Sequence, residues 1–418
     1  MNDDKEKLLA IGAIQKKLLG KKLNYREIYA VMDEIAHEKL SDVLTTYFVA
    51  SSFKEGYTPQ ELFYFTKAMV ETGNKLKFKG IVADKHSVGG IAGTRTTMII
   101  VPIIAAAGFK IPKISSRAIT TPAGTADVME AIASVEFTPK QITKIVNEVG
   151  GCIAWNGKLD IAPADDIIIR VEEPLSFESF DKIIISVMAK KVAAGTTHLV
   201  LDIPIGKTAK IHRFSEGENV ARKFENLARH FGIKVVCDVN ETLEPAGRGI
   251  GPILEARDVL YVLEQKTDRP LRLEAKSLRL AGKLLDLCYK EKKIKKNGED
   301  EAKKILESGA ALKKFQEIVK AQGGDHKITS DSLSLAKNKF DFRSSVSGKI
   351  KDINNYNLNI VAKILGAPND KKAGVYLLKK LDHSVNQHEP IFILYSDDKY
   401  RLKEAEATLK NLPIFKIE

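Results

Sequence analysis

The stretch Asp84-Lys85-His86-Ser87-Val88-Gly89-Gly90-Ile91-Ala92-Gly93-Thr94-Arg95-Thr96-Thr97 decides how this chain is read. A short β-rich run, Gly80–Ala83, precedes it and an apolar helical run follows, so the segment joins a strand to a helix. Its glycines let the backbone turn tightly and approach a ligand, and amides at the start of the helix point toward that ligand. Lys85 adds a point charge, while Ser87, Thr96 and Thr97 add hydroxyl donors. Together they make a phosphate cradle. The segment lacks the GxxxxGKS/T pattern of a Walker loop, and its GGxxG spacing differs from the dinucleotide fingerprint. A glycine turn is also a plain strand-to-helix connection; the lysine and hydroxyls gathered at one strand end favour binding. His86 joins Lys85 in the catalytic set, in a structural or positioning role rather than as a base.

A second strand, Lys110–Ser115, runs into Ser116-Arg117-Ala118-Ile119-Thr120-Thr121-Pro122-Ala123-Gly124-Thr125-Ala126-Asp127, again rich in hydroxyls and small residues and again leading into a helix. Further strands are expected at Leu199–Ile205 and Ile233–Asp238. Ligands of such sheets gather at the carboxyl ends of strands, so two loops of this kind surround one phosphorylated ligand. A helical stretch around Glu178–Ala194 sets Ser186 and Lys190 four apart on one face, where they present a hydroxyl and an ammonium to a polar ring or an anion.

The first seventy-odd residues read as amphipathic helices, with Thr58-Pro59-Gln60-Glu61 a capping-box start and Gly56 and Gly73 as stops. The expected class is α/β: a helical lobe over 1–75 with a returning helical segment at 160–195, a larger α/β lobe with a central mixed sheet over 76–159 and 196–335, and a small α+β carboxy-terminal domain over 340–418. Ala321–Asp325 and the polar segment up to Phe342 read as a linker, and Pro390–Tyr395 as a strand of the last domain.

A chain of 418 residues supports more than one hydrophobic core, and a formal charge of +12 draws anions to the surface. The lysines at 290, 292, 293, 295 and 296 read as a solvated run, since no aromatics alternate with them to stack bases; no nucleic-acid partner is expected. Three cysteines, Cys152, Cys237 and Cys288, without CxxC spacing, point to a reducing compartment and to no bound metal. The amino terminus is charged and the longest apolar run, Met98–Phe109, is too short to span a bilayer, so a cytoplasmic protein without a membrane partner is expected.

Taken together, Lys85-His86-Ser87 with Gly89-Gly90, the stretch Ser115 to Glu130, Ala162-Pro163-Ala164-Asp165 and Ser186-Val187-Met188-Ala189-Lys190-Lys191 resemble the thymidine phosphorylase superfamily, in order and over essentially the whole chain. Gly93 to Thr97, Ser116 to Thr120, Asp165-Asp166, Arg248 to Pro252 and Glu255 to Asp258 resemble its AMP phosphorylases more than its thymidine phosphorylases. Lys210 is the sharpest discriminator, because thymidine phosphorylases carry an aromatic residue at the matching site and a lysine suits a substrate with an additional phosphate.

The resemblance implies that Lys85, Ser87, Thr96 and Thr125 hold inorganic phosphate. It implies that Gly90, Ser116, Arg117, Ala118, Ile119, Thr120, Thr121, Thr125, Ser186, Lys190 and Lys210 form the nucleotide site. Glu178 stands where the family places a general-acid aspartate; glutamate keeps the chemistry and reaches farther. Arg170 lies near the base-reading arginine of thymidine phosphorylases at a different spacing. The archaeal relatives carry a further domain ahead of this region that supports large assemblies, so a homodimer is expected here.

The expected reaction is phosphorolysis of AMP to adenine and ribose 1,5-bisphosphate, with phosphate as co-substrate and no cofactor. The lysines, Arg95 and helix amides would offset the repulsion between two anions. The nearest alternative is a pyrimidine nucleoside phosphorylase, favoured by Ser186 and Lys190; a phosphoribosyltransferase fits the loops less well. A non-catalytic nucleotide or RNA binder would instead show steep salt dependence and no phosphate-dependent base release.

Overall fold

The computed structural model describes residues 2–51, 56–118, 121–172 and 179–418. Four helices, Asn2–Leu18, Tyr25–Ala36, Asp42–Ser51 and Pro59–Glu71, open the chain. The expected capping box is formed: Thr58 Oγ1 accepts from Glu61 N, and the Glu61 carboxylate accepts from Thr58 N at 3.0 Å. Glu61 is itself buried and is neutralised by Lys17 Nζ at 2.8 Å. Two later helices, Pro163–Glu172 and Phe180–Ala193, rejoin these four, and Ile28, Val31, Phe65, Met69, Ile168 and Ile185 share one core.

The larger lobe holds five strands: β1 (Ala83–Ser87), β2 (Ile111–Ser115), β3 (Gly151–Trp155), β4 (His198–Ile205) and β5 (Lys234–Glu241). They pair as β1-β4-β5 and β2-β3, and the Val82–Lys110 bridge joins the two sets. Every pairing is parallel, where a mixed sheet was expected. A crossover of a dozen or more residues separates successive strands, leaving no short turn that would reverse direction. The helix Thr97–Ala106, apolar from Met98 onward, lies in the core beneath, with Leu280, Leu284, Phe315 and Ile318.

The first strand begins later than its sequence suggests. Gly80 has a left-handed φ of 84° and lies outside it, whereas Lys85, His86 and Ser87 are strand residues rather than loop residues. Polar side chains masked the strand, because they sit at its carboxyl end, facing the cleft. Register then sets Ser87, Asp202 and Asp238 side by side across β1, β4 and β5.

The carboxy-terminal domain contains β7 (Asn338–Arg343), β8 (Gly348–Ile353), β9 (Gly374–Leu377), β10 (Ser384–Val385), β11 (Pro390–Ser396) and β12 (Phe415–Ile417) in two sheets, β10-β8-β12 and β9-β11-β7, and a short strand β6 (Gly249–Ile250) leaves the larger lobe to pair with β9 at the edge of the second. The domain's core of Ile350, Leu358, Val375, Phe392 and Leu394 is separate. Ala321–Asp325 is not a loose linker. Gln322 is buried, accepts from Ile153 N at 2.8 Å and donates to Ile153 O at 2.9 Å, pinning this turn against β3.

Candidate active site

Lys85, Ser87 and Thr96 converge as the sequence implies. Lys85 Nζ donates to Thr96 Oγ1 at 2.9 Å and to Ser87 Oγ over a short contact. Ser87 Oγ donates to Asp202 Oδ2 at 2.7 Å, and Lys276 Nζ reaches Asp202 Oδ1 at 3.0 Å. Burial opposes the ionised form of Asp202, yet Lys276 and Lys85 overcome it and hold the carboxyl below its ordinary value. Burial pulls the Lys85 ammonium down to about 8, with Lys276 and Arg95 acting in the same direction and Asp202 against it. The site is thus a buried, weakly held cation ringed by hydroxyls, suited to an incoming anion.

Beyond it, Gly89 turns with φ 69°, and a Cβ there would stand 2.8 Å from Lys210 Cβ. Glycine therefore lets Lys210, from the loop after β4, lie across the phosphate turn. Gly90 is exposed and meets nothing closer than Ser87 Cβ at 4.0 Å.

The second loop reaches the first through Arg95. Its guanidinium donates to Glu255 Oε2 at 2.9 Å, to Thr125 Oγ1 at 3.0 Å and to the Ala123 carbonyl at 2.8 Å. Glu255 is buried and answers its charge, so Arg95 serves the protein's own groups rather than standing free to neutralise ligand anions. Asp127 Oδ2 accepts from the Ala118 and Gly124 amides at 2.7 and 2.8 Å and holds the loop's two ends together. Arg117 stacks on Trp155 and is gripped by Glu130, with Glu136 at 3.3 Å. Ser116 and Thr121 are half-buried beside it, and Thr121 Oγ1 donates to the Ala123 carbonyl at 3.1 Å. Ile119 and Thr120 lie outside the described residues.

On the opposite wall, Ser186 Oγ donates to Asp165 Oδ2 at 2.8 Å and Lys190 Nζ pairs with the same oxygen at 2.5 Å. The helical spacing did place them on one face, with a buried aspartate between them. Asp166 keeps exposed surface, yet loss of solvation around its carboxyl, with Asp165 adding to it, raises it to about 6 against the pull of Lys190 and the Asn156 amide. Burial holds the His86 imidazole well below its ordinary value, and Lys191, Lys113, Lys85 and Lys190 reinforce this. His86 is therefore a neutral ring, suited to positioning.

Arg170 pairs with Glu38 at 3.3 Å and Asp42 at 3.1 Å on the exposed face of the helical lobe. Glu178 lies outside the described residues. Asp202 was not singled out from the sequence, although it is the lone charge in the apolar run His198-Leu199-Val200-Leu201-Asp202-Ile203 and sits at a strand's carboxyl end. Lys113 was also missed: buried, it donates to the Lys85 carbonyl at 2.8 Å and supports the strand from below.

Three family models match the chain in succession: the helical bundle domain of the glycosyl transferase family over residues 11–73, the a/b domain of that family over 79–312, and the pyrimidine nucleoside phosphorylase C-terminal domain over 349–414. Fold and site thus define a pentosyltransferase of the glycosyl transferase family. AMP phosphorylase 1 of Archaeoglobus fulgidus is 42% identical over 397 residues, spanning 95% of this chain and 78% of the relative. The AMP phosphorylase of Methanocaldococcus jannaschii is 41% identical over 415 residues, spanning 99% and 82%. The chain belongs to the AMP phosphorylase family. Anthranilate phosphoribosyltransferase from Thermus thermophilus shares the fold, with a TM-score of 0.62 at 20% identity over 75% of this chain and 99% of that one.

Proposed function

We propose that the protein cleaves AMP by phosphorolysis, releasing adenine and ribose 1,5-bisphosphate. The observation that carries this reading is Lys210, from the loop after β4, lying against Gly89 in the glycine turn that follows Lys85, which brings a second cation to that turn. Inorganic phosphate sits on Lys85, Ser87, Thr96 and Thr125 and attacks the anomeric carbon. Lys210 takes the nucleotide's 5′-phosphate, and Gly90, Ser116 to Thr121, Ser186 and Lys190 line the nucleoside. Breaking the glycosidic bond builds positive charge on the sugar, which the bound phosphate stabilises while an acid protonates the departing base. Glu178 is assigned as that acid.

The working form is a cytoplasmic homodimer that needs inorganic phosphate as co-substrate and no cofactor. Leu8 and Leu18 on the first helix and Leu19 just after it, with Val43 and Tyr47 on the third, are exposed apolar side chains of the helical lobe and support self-association. All three cysteines are free thiols, as a reducing compartment allows. The test is incubation with phosphate and a panel of nucleosides and monophosphates, followed by measurement of free base. Phosphate-dependent adenine from AMP is expected. Pyrimidine release from thymidine or uridine instead selects the pyrimidine nucleoside phosphorylase reading, which the Ser186–Lys190 pair favours.

A further inference from the structure

Arg95, from the first loop of the site, reaches the second through its side chain. The planar fork of a guanidinium donates in fixed directions, and four contacts use it: Nε and Nη2 to Glu255, at 2.9 and 2.7 Å, Nη2 also to the Ala123 carbonyl, and Nη1 to Thr125 Oγ1. Glu255 also accepts from the Gly251 amide at 3.3 Å, so the pair is fastened to the turn before Pro252–Leu263. The charge on Arg95 is matched within the protein, and its side chain is 13% exposed.

We propose that Arg95 is a positioning residue that locks the two phosphate loops into one frame and turns the Thr125 hydroxyl proton toward inorganic phosphate. The argument is one of hydrogen-bond polarity. A threonine hydroxyl has one proton and two lone pairs, and a guanidinium donates only. Arg95 therefore occupies a lone pair of Thr125 and leaves its proton to be given elsewhere. Lys85 acts on Thr96 in the same way, since an ammonium likewise donates only. Two hydroxyls thus enter the cleft already polarised as donors, a preorganisation that spares reorientation when the anion arrives. The inference rests on the proposed function for the placement of phosphate at Thr125.

The test is equilibrium dialysis of inorganic phosphate, without nucleotide, against the intact chain and the variants Arg95→Ala, Arg95→Lys, Thr125→Val and Arg95→Ala with Thr125→Val. Arg95→Ala is expected to weaken phosphate binding by roughly tenfold or more, the scale of a lost charge-assisted hydrogen bond. Added guanidinium ion should restore part of it and methylammonium should not, and Arg95→Lys should remain weak because one point charge cannot span both loops. Because Arg95 acts through Thr125, the double variant should bind no more weakly than Thr125→Val. Multiplying losses, or wild-type affinity in Arg95→Lys, would overturn the proposal. Should Arg95→Ala not fold, Arg95→Lys with Thr125→Val closes the same cycle. Dialysis reads phosphate alone: a wild type that binds phosphate through Arg95 and Thr125 yet releases no adenine from AMP sinks the proposed function and leaves this inference standing.

Discussion

Ser87 gives its hydroxyl proton to Asp202 at 2.7 Å, across the pair of parallel strands whose register sets these two residues opposite each other. One strand thereby supplies Lys85 and Ser87, and its neighbour a carboxylate that engages both. Asp202→Asn removes an anion from beside the phosphate site, which lessens repulsion, but it also strips Lys85 and Lys276 of their partner and frees Ser87 to rotate. The second effect should win, since hydrogen bonds to charged groups contribute about 1.5–3 kcal/mol. The expected result is a phosphate KM raised by roughly ten- to a hundredfold with the AMP KM little changed. Phosphate saturation curves decide it; an unmoved phosphate KM would show that Ser87 and Lys85 are held by other means.

The depressed Lys85 ammonium sets a pH limit. Phosphate needs the protonated form, and burial brings its loss down to about 8. As pH rises through that value the free enzyme loses the charge, so kcat/KM for phosphate should fall on the alkaline side. A bound anion favours the ammonium, so kcat at saturating phosphate should hold to higher pH. Two pH profiles check this, and an alkaline limb that stays put under saturating phosphate would assign it to another group.

Gly89 and Gly90 make opposite predictions. Gly89→Ala forces a side chain onto a φ of 69° and into Lys210 Cβ at 2.8 Å, so it should displace Lys210 and raise the AMP KM, and it should lower the unfolding temperature. Gly90→Ala meets only Ser87 Cβ at 4.0 Å, so the fold should tolerate it while nucleotide affinity drops if the base or sugar lies over that residue. Lys210→Met separates charge from packing: it should cost AMP, and spare adenosine, by roughly tenfold or more, the scale of one well-placed ion contact. Loss of adenosine turnover to the same degree would remove Lys210 from the 5′-phosphate.

What the sequence disclosed and what it withheld divide along physical lines. Local rules sufficed for the Thr58 capping box, for Ser186 and Lys190 sharing a helix face, and for a glycine turn at a strand end, because each depends on residues a few positions apart. Asp202 escaped, since its meaning comes from Ser87, 115 residues earlier, and from strand register. Arg95 was counted as a cation for the ligand; only the fold shows Glu255 lying 160 residues ahead to claim it. The start of β1 was misplaced because charged and polar residues at a functional strand end imitate a loop.

The carboxy-terminal domain has a stake in the phosphate cradle. Lys380, just after β9, is buried and donates to the Gly247 carbonyl at 2.9 Å and to the Pro245 carbonyl, with Glu244 at 3.6 Å. That loop in turn holds the cradle: Gly247 N donates to the Gly93 carbonyl at 2.8 Å, and Ala246 N to Thr94 Oγ1 at 3.0 Å. Lys380→Met keeps the length of the stem but leaves two carbonyls without this donor, while Glu244 retains the Leu381 amide and Arg272; the loss is about 2–4 kcal/mol for buried groups of this kind. Both stability and phosphate KM should suffer, the latter severalfold, although Lys380 follows β9 of the carboxy-terminal domain and Lys85 stands in β1 of the larger lobe. Lys349→Met is the control, because its pair with Asp382 is exposed on both sides and such pairs contribute little. Thermal unfolding and phosphate kinetics measured on both variants check the link: equal behaviour of the two would mean that the carboxy-terminal domain does not support the cradle through Lys380.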